Sequence, residues 1–180
     1  SLLTGQIASL DVQQISLLTP TIASALKTTQ VAALSTADIA ALTALSLIAF
    51  SSSQMGALAT SQVAALTVSQ IKSLNAGNVY GLSTSQVAAL KTVDLSALAT
   101  GAIAALSAVQ IAAFTTAQFS GLSSSNAVAL STTQIQSIEP EDVAAISGVS
   151  LKAMNSRQLA AFTIDQLQGL TTKQFAELTS

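Results

Sequence analysis

A large apolar side chain occupies every eighth position of this chain, 23 times from Leu2 to Leu178, without an insertion. Leu2, Leu10, Leu18, Leu26, Leu34 and Leu42 open the series, Phe50 continues it, and Ile138, Ile146, Met154, Phe162 and Leu170 lead to its end. Self-similarity at a fixed short period means an array of one small structural unit, and the fold has to be argued from that unit. Such an array has no single centre, so the 180 residues are read as one repeat domain, 1–180.

Counted from the residue after the leucine, the octad is Ser/Thr, Thr, any residue, Gln, Val/Ile, Ala, Ala, Leu, as at residues 35–42 and 83–90. A hydroxyl followed three positions later by Gln is the pattern of the capping box: the hydroxyl accepts from the third backbone N–H, and the Gln side chain returns to the N–H of the cap. A helix therefore starts in every octad. Leu82 before the cap and Val87 four residues into the helix are spaced for a hydrophobic staple. The only prolines, Pro20 and Pro140, fall at the first helical position, where a missing N–H costs nothing.

Other repeats fail on geometry. In one continuous helix eight residues turn about 800°, so the leucine stripe drifts about 80° per octad and faces no fixed partner. In a β-helix the inward positions share parity, whereas Val87 and Leu90 do not, and Ala-rich sequence disfavours strands. The pattern predicts an all-α solenoid of short capped helices, each of about seven residues, one per octad. Ordering eight residues costs roughly 8–16 kcal/mol of backbone entropy, while burying one Leu and one Val returns about 3–6 kcal/mol. Octads must stabilise one another.

A 24-residue period lies beneath the first. Cap residues Thr19, Thr43, Thr67, Thr115 and Thr163 share one phase, broken by Lys91 and Glu139, while Ser35, Ser83, Ser107 and Ser131 share the next. Gly5, Gly77 and Gly101 are spaced in multiples of 24, and the prolines stand 120 apart. The first Ala of the pair is replaced in one phase by Ser24, Ile48, Lys72, Ser96, Ser120 and Gln168, with Ala144 the exception. Three octads per coil and a triangular cross-section account for this. The alternative is duplication of a 24-residue genetic unit without structural meaning. On the first reading about seven and a half coils form a rod with Leu and Val/Ile inside, and the Ala pair lets layers approach closely.

Only 8% of residues are charged and the net charge is -2, with no basic cluster, so neither nucleic acid nor an anionic membrane face is an expected partner. The segment from Leu95 to Ile138 has no charge, yet Ser, Thr and Gln interrupt it in every octad, so membrane insertion is not expected and the chain reads as soluble. With no Cys and no His, disulfides, thiol chemistry, most zinc sites and the commonest general base are absent. Ser1 and Ser180 both stand in mid-repeat, which reads as a piece of a longer array.

No constellation of residues points to catalysis, a cofactor or a metal, and the chain is not expected to be an enzyme. Glu139-Pro140-Glu141-Asp142 is the one acidic cluster, and acids in a first turn complement the helix dipole. Asp38 and Asp94 take the Gln place in the box, and Asp165 stands apart. Ser and Thr make up about a quarter of the chain, but Lys72 and Lys152 belong to no recognisable Ser-Lys motif. Tyr80, the lone Tyr, and the singly spread Lys27, Lys72, Lys91, Lys152, Lys173 and Arg157 read as surface.

The octads resemble the Ala/Ser/Thr/Gln-rich arrays of the form Leu-Ser-Thr-x-Gln-Val-Ala-Ala in large bacterial secreted or surface proteins described as adhesin-like or hemagglutinin-like. The resemblance spans essentially the whole chain. Departures at Tyr80, Glu139, Pro140 and Gly148 fit a natural, drifting sequence. The resemblance implies an extracellular or cell-surface structural module, a spacer, stalk or filament-forming segment. Its expected partners are itself, end to end, or neighbouring repeats of the same array. The alternative is a binding module whose Ser/Thr-rich face takes glycan, protein or ice.

Overall fold

The computed structural model describes residues 3–179; Ser1, Leu2 and Ser180 lie outside the described residues, and with them the first leucine of the series and the mid-repeat ends. The chain forms two compact units, Ser1–Leu90 and Lys91–Ser180, built on one plan. Among the described residues there are 22 α-helices, one per octad, and no strand.

The helices begin where the caps place them. Ser35, Thr67, Ser107 and Thr115 accept from the N–H three residues on, and Pro20 and Pro140 stand at the first helical position. They are shorter than the expected seven residues. All but the eight-residue Thr172–Thr179 have four to six, as in Thr84–Ala88 and Thr36–Ala41. The corner consumes the difference. At Leu42 (ψ 138°) and Thr43 (ψ 151°), as at Leu98 (ψ 137°) and Ala99 (ψ 145°), two successive extended residues turn the chain. No described residue has positive φ, so the corner needs no glycine.

Within each unit, helices pack on the third one along the chain. In the first unit Thr28–Ala32 meets Ser52–Gly56, Thr36–Ala41 meets Thr60–Ala64, and Ala44–Ile48 meets Val68–Ser73. In the second, Thr92–Ala97 meets Thr116–Ser120, and Thr100–Ala105 meets Ser124–Ala129. One coil is therefore three octads, and the 24-residue period is structural.

The leucine position and the fourth helical position fill the interior of each unit. Ile39, Leu47, Met55 and Val63 are sealed in the first; Leu95, Ile103, Ile135 and Val143 are sealed in the second. The staple is visible as an edge-to-face pair of Phe114 and Phe119, ring centroids 5.9 Å apart, which flank the cap Thr115.

The second Ala of the pair explains why small residues recur there. At that position a Cβ on Gly81 would run into the backbone of Ser52, 29 residues earlier, and one on Gly169 would come within 2.7 Å of the Pro140 carbonyl. Ser137 occupies the equivalent place and donates its hydroxyl to the Ala108 carbonyl at 2.9 Å. This position rests on the first helical residue of the coil before it.

Candidate functional site

The polar side chains inside the coils are those at the third helical position, which is Gln in most octads. A neutral amide without partners is costly to bury, and here Gln54, Gln70, Gln134 and Gln166 pair both the amide oxygen and the amide nitrogen. Gln54 Oε1 accepts from the Ser51 N–H at 2.8 Å, while its Nε2 donates to the Leu26 carbonyl at 2.7 Å and the Ala23 carbonyl at 3.0 Å. Gln70 accepts from the Thr67 N–H at 2.8 Å and donates to Ile39 at 2.7 Å and Leu42 at 2.8 Å. In the second unit Gln134 donates to Ile103 at 2.9 Å and Leu106 at 2.6 Å, and Gln166 to Ile135 at 2.8 Å and Ile138 at 2.6 Å.

The acceptors lie 28 and 31 residues back, at the leucine and the fourth helical residue of the coil before. Helices this short cannot satisfy their own last carbonyls. The Gln of one coil closes the helix end of another, and one side chain both starts its own helix and ties it to its neighbour.

The octad pattern assigns Gln only to the cap, and this second role is the functional feature it missed. One signal was available. Where the cap is Lys27 or Ala59, no hydroxyl exists, yet Gln30 and Gln62 remain and still accept from the cap N–H at 2.7 and 2.6 Å. Gln62 Nε2 also donates to Val31 at 3.2 Å. A Gln retained without its capping partner is held by something else.

Shorter residues make partial rungs. Asn126 donates to Leu95 at 2.6 Å, and the Ser150 hydroxyl donates to Leu122 at 2.7 Å. Asp38, Asp94 and Asp142 are buried at the same position and, when ionised, only accept. Ala102 offers no polar group at all. Asp94 is the extreme case. It is 0% exposed, its Oδ2 accepts from the Lys91 N–H at 2.8 Å, and its Oδ1 has no hydrogen-bond partner. Burial pushes its carboxyl above the ordinary carboxylate range, against the lowering effects of the Lys91 backbone N–H and of the Lys91 ammonium.

The remaining sequence candidates are scattered. Glu141 and Asp142 sit in the first turn of Pro140–Val143, Tyr80 is exposed, and Lys173 lies 3.9 Å from Glu177. Thr67 and Thr115 spend their hydroxyls on Gln70 and Gln118. A cleft of about 280 Å³ beside Ser147 and Thr171 is bounded by Gly148, where the Glu177 carboxylate occupies the space of a missing side chain. Among the described residues no three His, Cys, Asp or Glu gather as metal ligands, and no helix is long and apolar enough to cross a membrane.

No curated protein matches the chain. The family model of the ALTTAQ repeat matches residues 31–68, 87–124, 135–172 and 143–180, about two thirds of the sequence. Its matches span both units and contain the amide rungs Gln54, Gln62, Gln158 and Gln166. With its octads folded as capped helices that pack three apart, this chain belongs to the ALTTAQ repeat family.

Proposed function

We propose that this structural repeat module is a spacer, stalk or filament-forming segment of a bacterial extracellular or surface protein, without catalytic activity. The observation that carries this reading is where the buried amides go. They bind main-chain carbonyls of another coil, so coils join through groups every residue possesses and length follows repeat number. The extracellular setting rests on the resemblance of the octads to arrays of large secreted proteins.

Excision of residues 43–66, one coil within the first unit, tests the spacer. The shortened chain should keep its helical circular dichroism per residue and its cooperative unfolding, with only a smaller radius of gyration. Loss of folding contradicts a spacer. The filament form predicts head-to-tail self-association: Gln6 and Gln14 of the first coil are exposed, as are Leu167 and Phe175 near the other end. Electron microscopy at rising concentration should show particles joining into fibres, abolished by Gln6→Ala with Gln14→Ala.

One observation favours a binding face. Thr36, Thr60 and Thr84 form an exposed column at 24-residue spacing in the first unit, on the first turns of their helices. Replacing all three by Val should remove retention on a glycan array if that face binds sugar, and leave a pure spacer unchanged.

A further inference from the structure

The second unit opens on two successive helices whose third residue is neither amide nor hydroxyl: Asp94 in Thr92–Ala97 and Ala102 in Thr100–Ala105. No other pair of neighbouring octads lacks both. Thr100–Ala105 is also uncapped, since Ala99 precedes it and makes no side-chain bond. Whatever Asp94 does is therefore not backed up by the next octad.

Asp94 reproduces half of a glutamine. Its Oδ2 takes the cap N–H as Gln Oε1 does elsewhere, and its Oδ1 stands where the other coils carry a donating nitrogen, buried and unpartnered. An ionised oxygen there lacks both water and a donor. A proton taken from solvent removes that charge.

We propose that Asp94 is a proton-operated switch: with Oδ1 protonated the sealed side chain is neutral, and on releasing that proton to water as pH rises it leaves an unpaired buried charge that loosens the coil opening the second unit. Few charges oppose this. The helix packed on Thr92–Ala97 in this unit, Thr116–Ser120, has no titratable side chain, nor have the helices before and after it in the chain. Within this unit Lys91 is the neighbouring cation, and it is exposed.

The direction of the pH effect follows from linkage. A carboxyl whose folded-state pKa is raised keeps its proton longer in the folded chain. Its contribution to stability is complete below the ordinary carboxylate value of about 4 and is lost as pH rises through the raised value. The experiment compares the wild-type chain with Asp94→Asn, whose side chain is neutral at every pH, by thermal unfolding from pH 4 to pH 8. The other carboxylates are common to both. The melting temperature of Asp94→Asn should exceed that of the wild type at pH 8, and the gap should close towards pH 4. A gap independent of pH, or one that closes towards pH 8, overturns the proposal. Carboxyl-carbon NMR of the wild type reads the same group directly: a midpoint above the ordinary carboxylate range is expected, and one at or below it overturns the proposal even if the variant misfolds.

Discussion

Residues 62–70 of the first unit and 94–102 of the second each span the third helical positions of two neighbouring octads, yet they treat that buried position in opposite ways. Gln62 and Gln70 each accept from a cap N–H and donate to carbonyls of the coil before, at both ends of one unbroken stretch. Asp94 accepts and has an idle oxygen, and Ala102 contributes only a methyl. Both stretches form helices of five or six residues and bury the leucine and the fourth helical residue. The difference teaches that the hydrophobic octad makes the coil, and the amide decides how firmly one coil holds the next.

The comparison is sharpened most by making the strong stretch resemble the weak one. Gln70→Glu replaces two donors with acceptors at a position only 1% exposed, and the resulting buried, unpaired carboxylate should cost about 3–5 kcal/mol at neutral pH. Urea unfolding of this variant at pH 4 should recover part of the loss, as protonation restores one donor. If stability is unchanged at either pH, the amide is not an inter-coil tie.

A smaller effect is expected where the coils touch without polar groups. Gly81→Ala drives a methyl into the Ser52 backbone and should cost about 1–3 kcal/mol, read as a lowered urea midpoint. In the weak stretch, Gly101→Ala meets nothing within 4 Å on a helix surface. It should raise the midpoint by the equivalent of about 0.5–1 kcal/mol, the ordinary gain of Ala over Gly in a helix. A common sign for the two substitutions would break the assignment of the second Ala position to inter-coil contact.

Much of this fold is legible in the octad because capping is local. Pro20, Pro140, Ser35 and Thr67 mark helix starts from information within four residues, and the Thr and Gly phases carry the coil length. What stays hidden depends on partners far along the chain. Gln70 reads as a cap for Thr67, and its bonds to Ile39 and Leu42 become visible only when the coils are stacked. The helices are shorter than the pattern predicts because the leucine and the cap look like helix-compatible residues, while the corner requires both to be extended. Asp94 reads as a substitute within the box, and its sealed, unpartnered oxygen follows from packing above and around it. The boundary between Leu90 and Lys91 falls between two octads that keep the period without an insertion.

The central claim separates the two halves of one capping box. Thr67→Ala removes a hydroxyl that serves only its own helix start, an expected cost of about 1 kcal/mol. Gln70→Ala removes the return bond and leaves the Ile39 and Leu42 carbonyls buried without their donor, an expected cost of about 3 kcal/mol or more. Urea unfolding of the two variants beside the wild type is the direct measurement. The account predicts that Gln70→Ala loses at least twice the stability that Thr67→Ala loses. Equal losses would mean that the glutamine is a cap and nothing more, and would contradict it.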